Sequence, residues 1–145
     1  MKLIKIFFVL YFFCGGCQVK AESIEFANCD WLIPEGFQLT EEKDKRLIRV
    51  EPGYFAGEVL FLNEKFNEAL LDSEFIELDK HLKTNRYEVY AYRYLRSPEE
   101  KQLGVSESFN IYTIAKEGFS IELYNVSSQE LKTFSEQCLV LPDDF

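Results

Sequence analysis

Tyr87-Glu88-Val89-Tyr90-Ala91-Tyr92-Arg93-Tyr94 is the stretch on which the fold turns. It is rich in aromatic and β-branched residues and alternates in character, so it reads as a strand. Successive strand side chains point to opposite faces. Tyr90, Tyr92 and Tyr94 therefore share a face with Glu88, and Val89, Ala91, Arg93 and Leu95 take the other. Downstream, Phe109 to Ala115 and Phe119 to Val126 read as two more strands, joined as a hairpin across Lys116-Glu117-Gly118. Ser127 then opens a helix. Ser127 and Glu130 match the capping box, in which each side chain satisfies the other's backbone N–H. Leu131, Phe134 and Cys138 follow at helical spacing on one face, and Pro142 closes the domain.

Upstream the pattern is again mostly that of strands. Ile24-Glu25-Phe26 starts a short strand, and Trp31-Leu32-Ile33 is an apolar run ended by the turn Pro34-Glu35-Gly36. Arg46 to Val50 and Tyr54 to Leu62 read as strands separated by Pro52-Gly53. The second has apolar residues on both faces, which predicts an interior place in a sheet. Asn63 to Leu71 reads as a helical turn or short helix capped by Asn63. Phe75 to Lys83 fits both periods. As a strand it sets Ile76, Leu78 and Leu82 against Glu77, Asp79 and His81, and as a helix it stripes Leu71, Phe75, Leu78 and Leu82. The strand is the better reading, because Thr84-Asn85 offers a turn into the next run. Glu41 to Lys45 and Ser97 to Gly104 read as polar loops. The predicted fold is α+β: an antiparallel sheet of about five to seven strands with a C-terminal helix packed on one face.

The N-terminus has a different character. Met1 to Phe13 reads MKLIKIFFVLYFF, a basic start followed by an apolar run too short to span a bilayer comfortably. That is the layout of a secretory signal peptide, and Val19-Lys20-Ala21 allows cleavage after Ala21. The chain then divides into a signal over 1–21 and one globular domain over 22–145. Cys14-Gly15-Gly16-Cys17 resembles a bacterial lipobox, with Cys14 where such boxes usually carry Leu. The resemblance implies lipidation at Cys17. The expected location is thus periplasmic or secreted, with a membrane-anchored lipoprotein as the alternative.

Setting the signal aside makes the charge and the cysteines informative. The whole chain carries a net charge of -9, and residues 1–21 hold three lysines and no acid, so the remainder stands at -12. That argues against nucleic acid, whose binders need a basic face, and against a polybasic hold on anionic lipid. It favours a basic protein partner. Membrane contact is expected only through a lipidated Cys17. Two thiols left in an oxidising compartment, Cys29 and Cys138, are expected to form one disulfide.

The catalytic prospects are thin. The only histidine is His81. Together with Glu77 and Asp79 it forms a weak metal or acid–base candidate, provided that the segment is a strand. The sequence carries no nucleophile elbow, phosphate loop or dinucleotide fingerprint, and no cofactor is expected. The tyrosine face, Tyr90, Tyr92 and Tyr94, flanked by Arg93, is the candidate recognition surface, set against rings that simply pack. The leading expectation is a non-catalytic exported binding module, inhibitor-like or immunity-like. An envelope lipoprotein with a structural or assembly role is one alternative, and a small ligand-binding protein or hydrolase is another.

Overall fold

A computed structural model describes residues 22–40, 45–51, 54–104 and 108–145. The predicted signal, its cleavage site and Cys17 lie outside the described residues. A two-residue turn joins β1 (Ser23–Phe26) to β2 (Cys29–Leu32), which pair as a small sheet of their own. Ala27 and Asn28 there have φ of 52° and 61°, the left-handed pair that hairpin twist demands.

The main sheet has seven strands, all paired antiparallel. They are β3 (Phe37–Thr40), β4 (Arg46–Glu51), β5 (Tyr54–Leu62), β6 (Ile76–Lys83), β7 (Glu88–Leu95), β8 (Ser108–Lys116) and β9 (Phe119–Tyr124). Their spatial order is β3-β4-β5-β9-β8-β7-β6, so the β8–β9 hairpin is inserted between β5 and β7. Among the described residues the helices are minor: a single turn, α1 (Pro98–Lys101), and α2 (Ser128–Ser135). Among the described residues the chain is therefore mostly β. The α+β expectation gave the helical part too much weight, because Asn63 to Leu71 forms only a 3₁₀ turn over Glu68–Asp72, capped by Asn67 rather than Asn63.

Register explains which residues form the core. Leu47, Val59, Leu123, Tyr112 and Ala91 lie in one row across five strands. Phe61, Ile121, Ile114, Val89 and Leu82 form the next row. Both rows belong to one face, and nearly all of their members are buried. The β1–β2 hairpin and α2 cover that face. Phe26 meets Phe61 and Phe119 edge-on at 5.2 and 5.4 Å, and Trp31 stacks on Phe134 at 5.2 Å. The Trp31 indole N–H donates to the Phe26 carbonyl at 3.0 Å, so this fully buried ring leaves no polar atom unmatched.

Two devices fasten α2 to this layer. Its capping box forms as the sequence predicts, with Ser127 Oγ accepting from the Glu130 N–H and the Glu130 carboxylate accepting from the Ser127 N–H. Glu130 also pairs with Arg49 of β4. Arg49 lies over the Phe37 ring and donates to the Asn125 carbonyl at 3.0 Å. Gly57 makes room for it, since a Cβ there would stand 3.3 Å from the guanidinium and 3.1 Å from Phe37. The second device is the disulfide Cys29–Cys138, which joins β2 to the turn just past α2 across 109 positions of sequence.

Candidate functional site

The opposite face of the sheet carries the aromatic character that the sequence advertised. Tyr92 aligns with Ile111 and Leu78, Tyr94 with Phe109 and Ile76, and Tyr90 with Thr113 and His81. A strap over residues 63–75 connects β5 to β6, and its 3₁₀ turn packs against β6. Phe66 from this strap sits against Tyr90 with ring centroids 5.2 Å apart. Phe66, Tyr90, Tyr92 and Ile111 form a second, smaller apolar cluster, with Leu71, Ile76, Tyr94, Phe109 and Tyr124 packed around it.

This arrangement revises the proposed recognition face. Tyr90 and Tyr92 are buried, at 3% and 8% exposure, and Tyr94 is half-buried. Arg93 stands on the far face, where its guanidinium pairs with Glu77 at 2.9 Å. Tyr90, Tyr92, Tyr94 and Arg93 therefore do not form one open surface. The rings pack on the face away from α2, because alternation places Val89 and Ala91 toward the helix.

The tyrosine hydroxyls are held by a repeated chemistry. Tyr90 donates to Glu88 at 2.8 Å, Tyr94 donates to Glu100 at 3.3 Å, and Tyr124 donates to Glu122. Tyr92 and Thr113 share a buried hydrogen bond of 3.0 Å. Burial, and after it the bond to Glu88, pushes the Tyr90 phenol well above its usual range. Burial pushes Tyr92 up to about 12. Burial also raises Tyr124, with the Glu122 bond second. All of these phenols stay protonated at neutral pH.

Glu88 is the busiest carboxylate. Lys83 donates to Oε1 at 2.8 Å, Tyr90 donates to Oε2, and His81 Nε2 lies 3.1 Å from Oε2. The Lys83 bond and then the Tyr90 bond hold its carboxyl down to about 2. His81 stacks on Tyr90 with centroids 4.4 Å apart and rings nearly parallel at 6°. Beside this group, Phe66, Glu68, Lys65, Lys116 and Glu117 enclose a cleft of about 360 Å³ that Glu88 and Tyr90 also line.

The weak metal candidate Glu77, Asp79 and His81 is not assembled. A β-bulge between Leu78 and Lys80 leaves Asp79 without a partner in the ladder. Beyond it the alternation reverses, so His81 joins the tyrosine face with Leu78 while Glu77 stays on the other. The segment is the strand that was expected, but simple alternation fails across it. Among the described residues no three His, Cys, Asp or Glu side chains gather as metal ligands.

The most exposed apolar side chains near this face were not singled out in the sequence. Leu70, Phe75 and Leu78 are 54%, 37% and 47% exposed. The available signal was the stripe Leu71, Phe75, Leu78 and Leu82, which points to a buried helix face if the segment is helical. Comparison with protein-family models, curated proteins and solved structures returns no match for this chain.

Proposed function

We propose that this chain is an exported, non-catalytic module that binds a basic protein, in the manner of an inhibitor or an immunity protein. The observation that carries this reading is the pairing of tyrosine hydroxyls with carboxylates on the sheet face away from α2. The pairs Tyr90–Glu88, Tyr94–Glu100 and Tyr124–Glu122 fix acidic groups on an aromatic floor. Glu88 already holds Lys83 and Glu100 lies 3.8 Å from Arg96, so among the described residues Glu122 is the carboxylate of the three outside an ion pair, and one held by a rigid phenol loses little further freedom when a cationic side chain arrives. The net charge of -9, rising to -12 without residues 1–21, steers encounter with such a partner. The disulfide Cys29–Cys138 fits an oxidising compartment, and among the described residues no helix is long and apolar enough to cross a membrane.

The test is retention from secreted and envelope extracts on the immobilised chain at low and high salt. A partner of high isoelectric point, bound in low salt and released in high salt, is the expected result. If only acidic or neutral proteins are retained, or nothing is, the reading fails. The Cys14-Gly15-Gly16-Cys17 box sustains a second reading, an envelope lipoprotein. Intact mass separates the two: a mature chain starting at Glu22 without acyl groups supports a soluble module, and an acylated chain starting at Cys17 supports the anchor.

A further inference from the structure

We infer that the strap between β5 and β6, together with the adjoining outer face of β6, is the docking surface for a basic segment that also carries aliphatic side chains. This rests on the basic partner of the proposed function and places the contact on the strap, next to the phenol-held carboxylates rather than on them. Residues 66–79 read FNEALLDSEFIELD, with five acids and no base. Glu77 is neutralised on the far face by Arg93. Glu68, Asp72 and Glu74 are exposed, and none of them joins an ion pair among the described residues, whereas Asp79 lies toward Tyr112 on the face that α2 covers. Within the same stretch Leu70, Phe75 and Leu78 stand open to solvent.

Exposed apolar side chains set among polar ones mark an interaction surface. The centre is anchored rather than loose. Phe75 lies 6.5 Å from the Tyr94 ring, Leu78 aligns with Tyr92, and Leu71 packs into the second cluster beneath the strap. Charge selects the occupant. A second copy of the chain would bring the same three acids against themselves, and an anionic lipid surface would be repelled. A segment alternating Lys or Arg with Leu or Val meets both requirements.

The test uses the full chain, expressed for export and purified with its disulfide formed. The probe is a synthetic peptide of about 16 residues alternating Lys and Leu, with a Glu–Leu peptide of equal length as control. Binding is followed by amide NMR shifts and by calorimetry. The largest shifts are expected within residues 66–79. Phe75→Ser with Leu78→Ser should weaken binding at least tenfold, and Asp72→Asn with Glu74→Gln at least fivefold. Leu103→Ser with Val140→Ser, at exposed apolar positions elsewhere, should change it less than twofold. Leu103, Val140, Asp72 and Glu74 are exposed, so those variants should melt within a few degrees of native, while Phe75 contacts Tyr94 and the Phe75/Leu78 variant is checked by a native-like amide spectrum.

If the Lys–Leu peptide binds, but its shifts scatter over other acids and the Phe75/Leu78 variant binds as tightly as native, this surface is wrong while a basic partner stands. If the peptide does not bind at low salt, both readings fall. A native dimer that the Phe75/Leu78 variant abolishes in sedimentation would assign the surface to a second copy instead.

Discussion

Replacing both Cys29 and Cys138 with alanine tests how the structure is held. The bond closes a loop of 109 residues of separation, almost the whole described chain. In the chain-entropy treatment, cross-linking ends that far apart removes enough freedom from the unfolded state to stabilise the fold by ~4.8 kcal/mol at room temperature. That is an upper figure, since residual structure in the unfolded chain lowers it. For a folded chain of this size, with about 4 °C of midpoint for each kcal/mol, the expected fall in Tm is roughly 15–20 °C. The double variant should also have a steeper urea dependence, because its unfolded state opens further. The assay is urea and thermal unfolding of the native, reduced native and double-alanine chains. The reduced native protein should behave like the variant. Thiol titration of the unreduced, denatured protein should find neither Cys29 nor Cys138 free. If both thiols titrate, or the three samples unfold at one midpoint, the argument is refuted.

Four further outcomes follow from the same contacts. Arg49→Leu should cost about 2 kcal/mol in urea unfolding, since it strands Glu130 and the Asn125 carbonyl at a partly exposed site. Phe134→Ala should cost about 3–5 kcal/mol, because the ring is fully buried against Trp31 and Phe61. Thr113→Val should cost about 1–3 kcal/mol by leaving the Tyr92 hydroxyl unmatched, and adding Tyr92→Phe should recover most of that in a double-mutant cycle. The Glu88 carboxyl is depressed from 4.5 to about 2, so its stabilisation is complete above about 4.5 and is lost as pH falls toward 2. Glu88→Gln should therefore flatten the pH dependence of stability in that window, and an unchanged slope would remove Glu88 from the account.

Most strands were legible because their signals are local. The alternation in Tyr87 to Tyr94, the Lys116-Glu117-Gly118 turn and the Ser127/Glu130 capping box each lie within a few residues. Other elements were not legible. The strand Phe37–Thr40 has only four residues and depends on its pairing with β4. The single turn α1 carries its own capping box, Ser97 with Glu100, inside what reads as a polar loop. The bulge at Asp79 has no sequence signature, yet it separates His81 from Glu77.

Periodicity, capping and a thiol count are local properties of the chain, and from them come the antiparallel strands, the place of α2 and the pairing of Cys29 with Cys138. Tertiary structure alone decided the strand order, the insertion of β8 and β9 between β5 and β7, and which tyrosines are buried. Alternation says that two residues share a face, but only the packed partners say which face the core takes. Here α2 and the β1–β2 hairpin claim the Val89 and Ala91 side. The tyrosines are left to a second cluster under the strap, and Leu70, Phe75 and Leu78 are left to solvent.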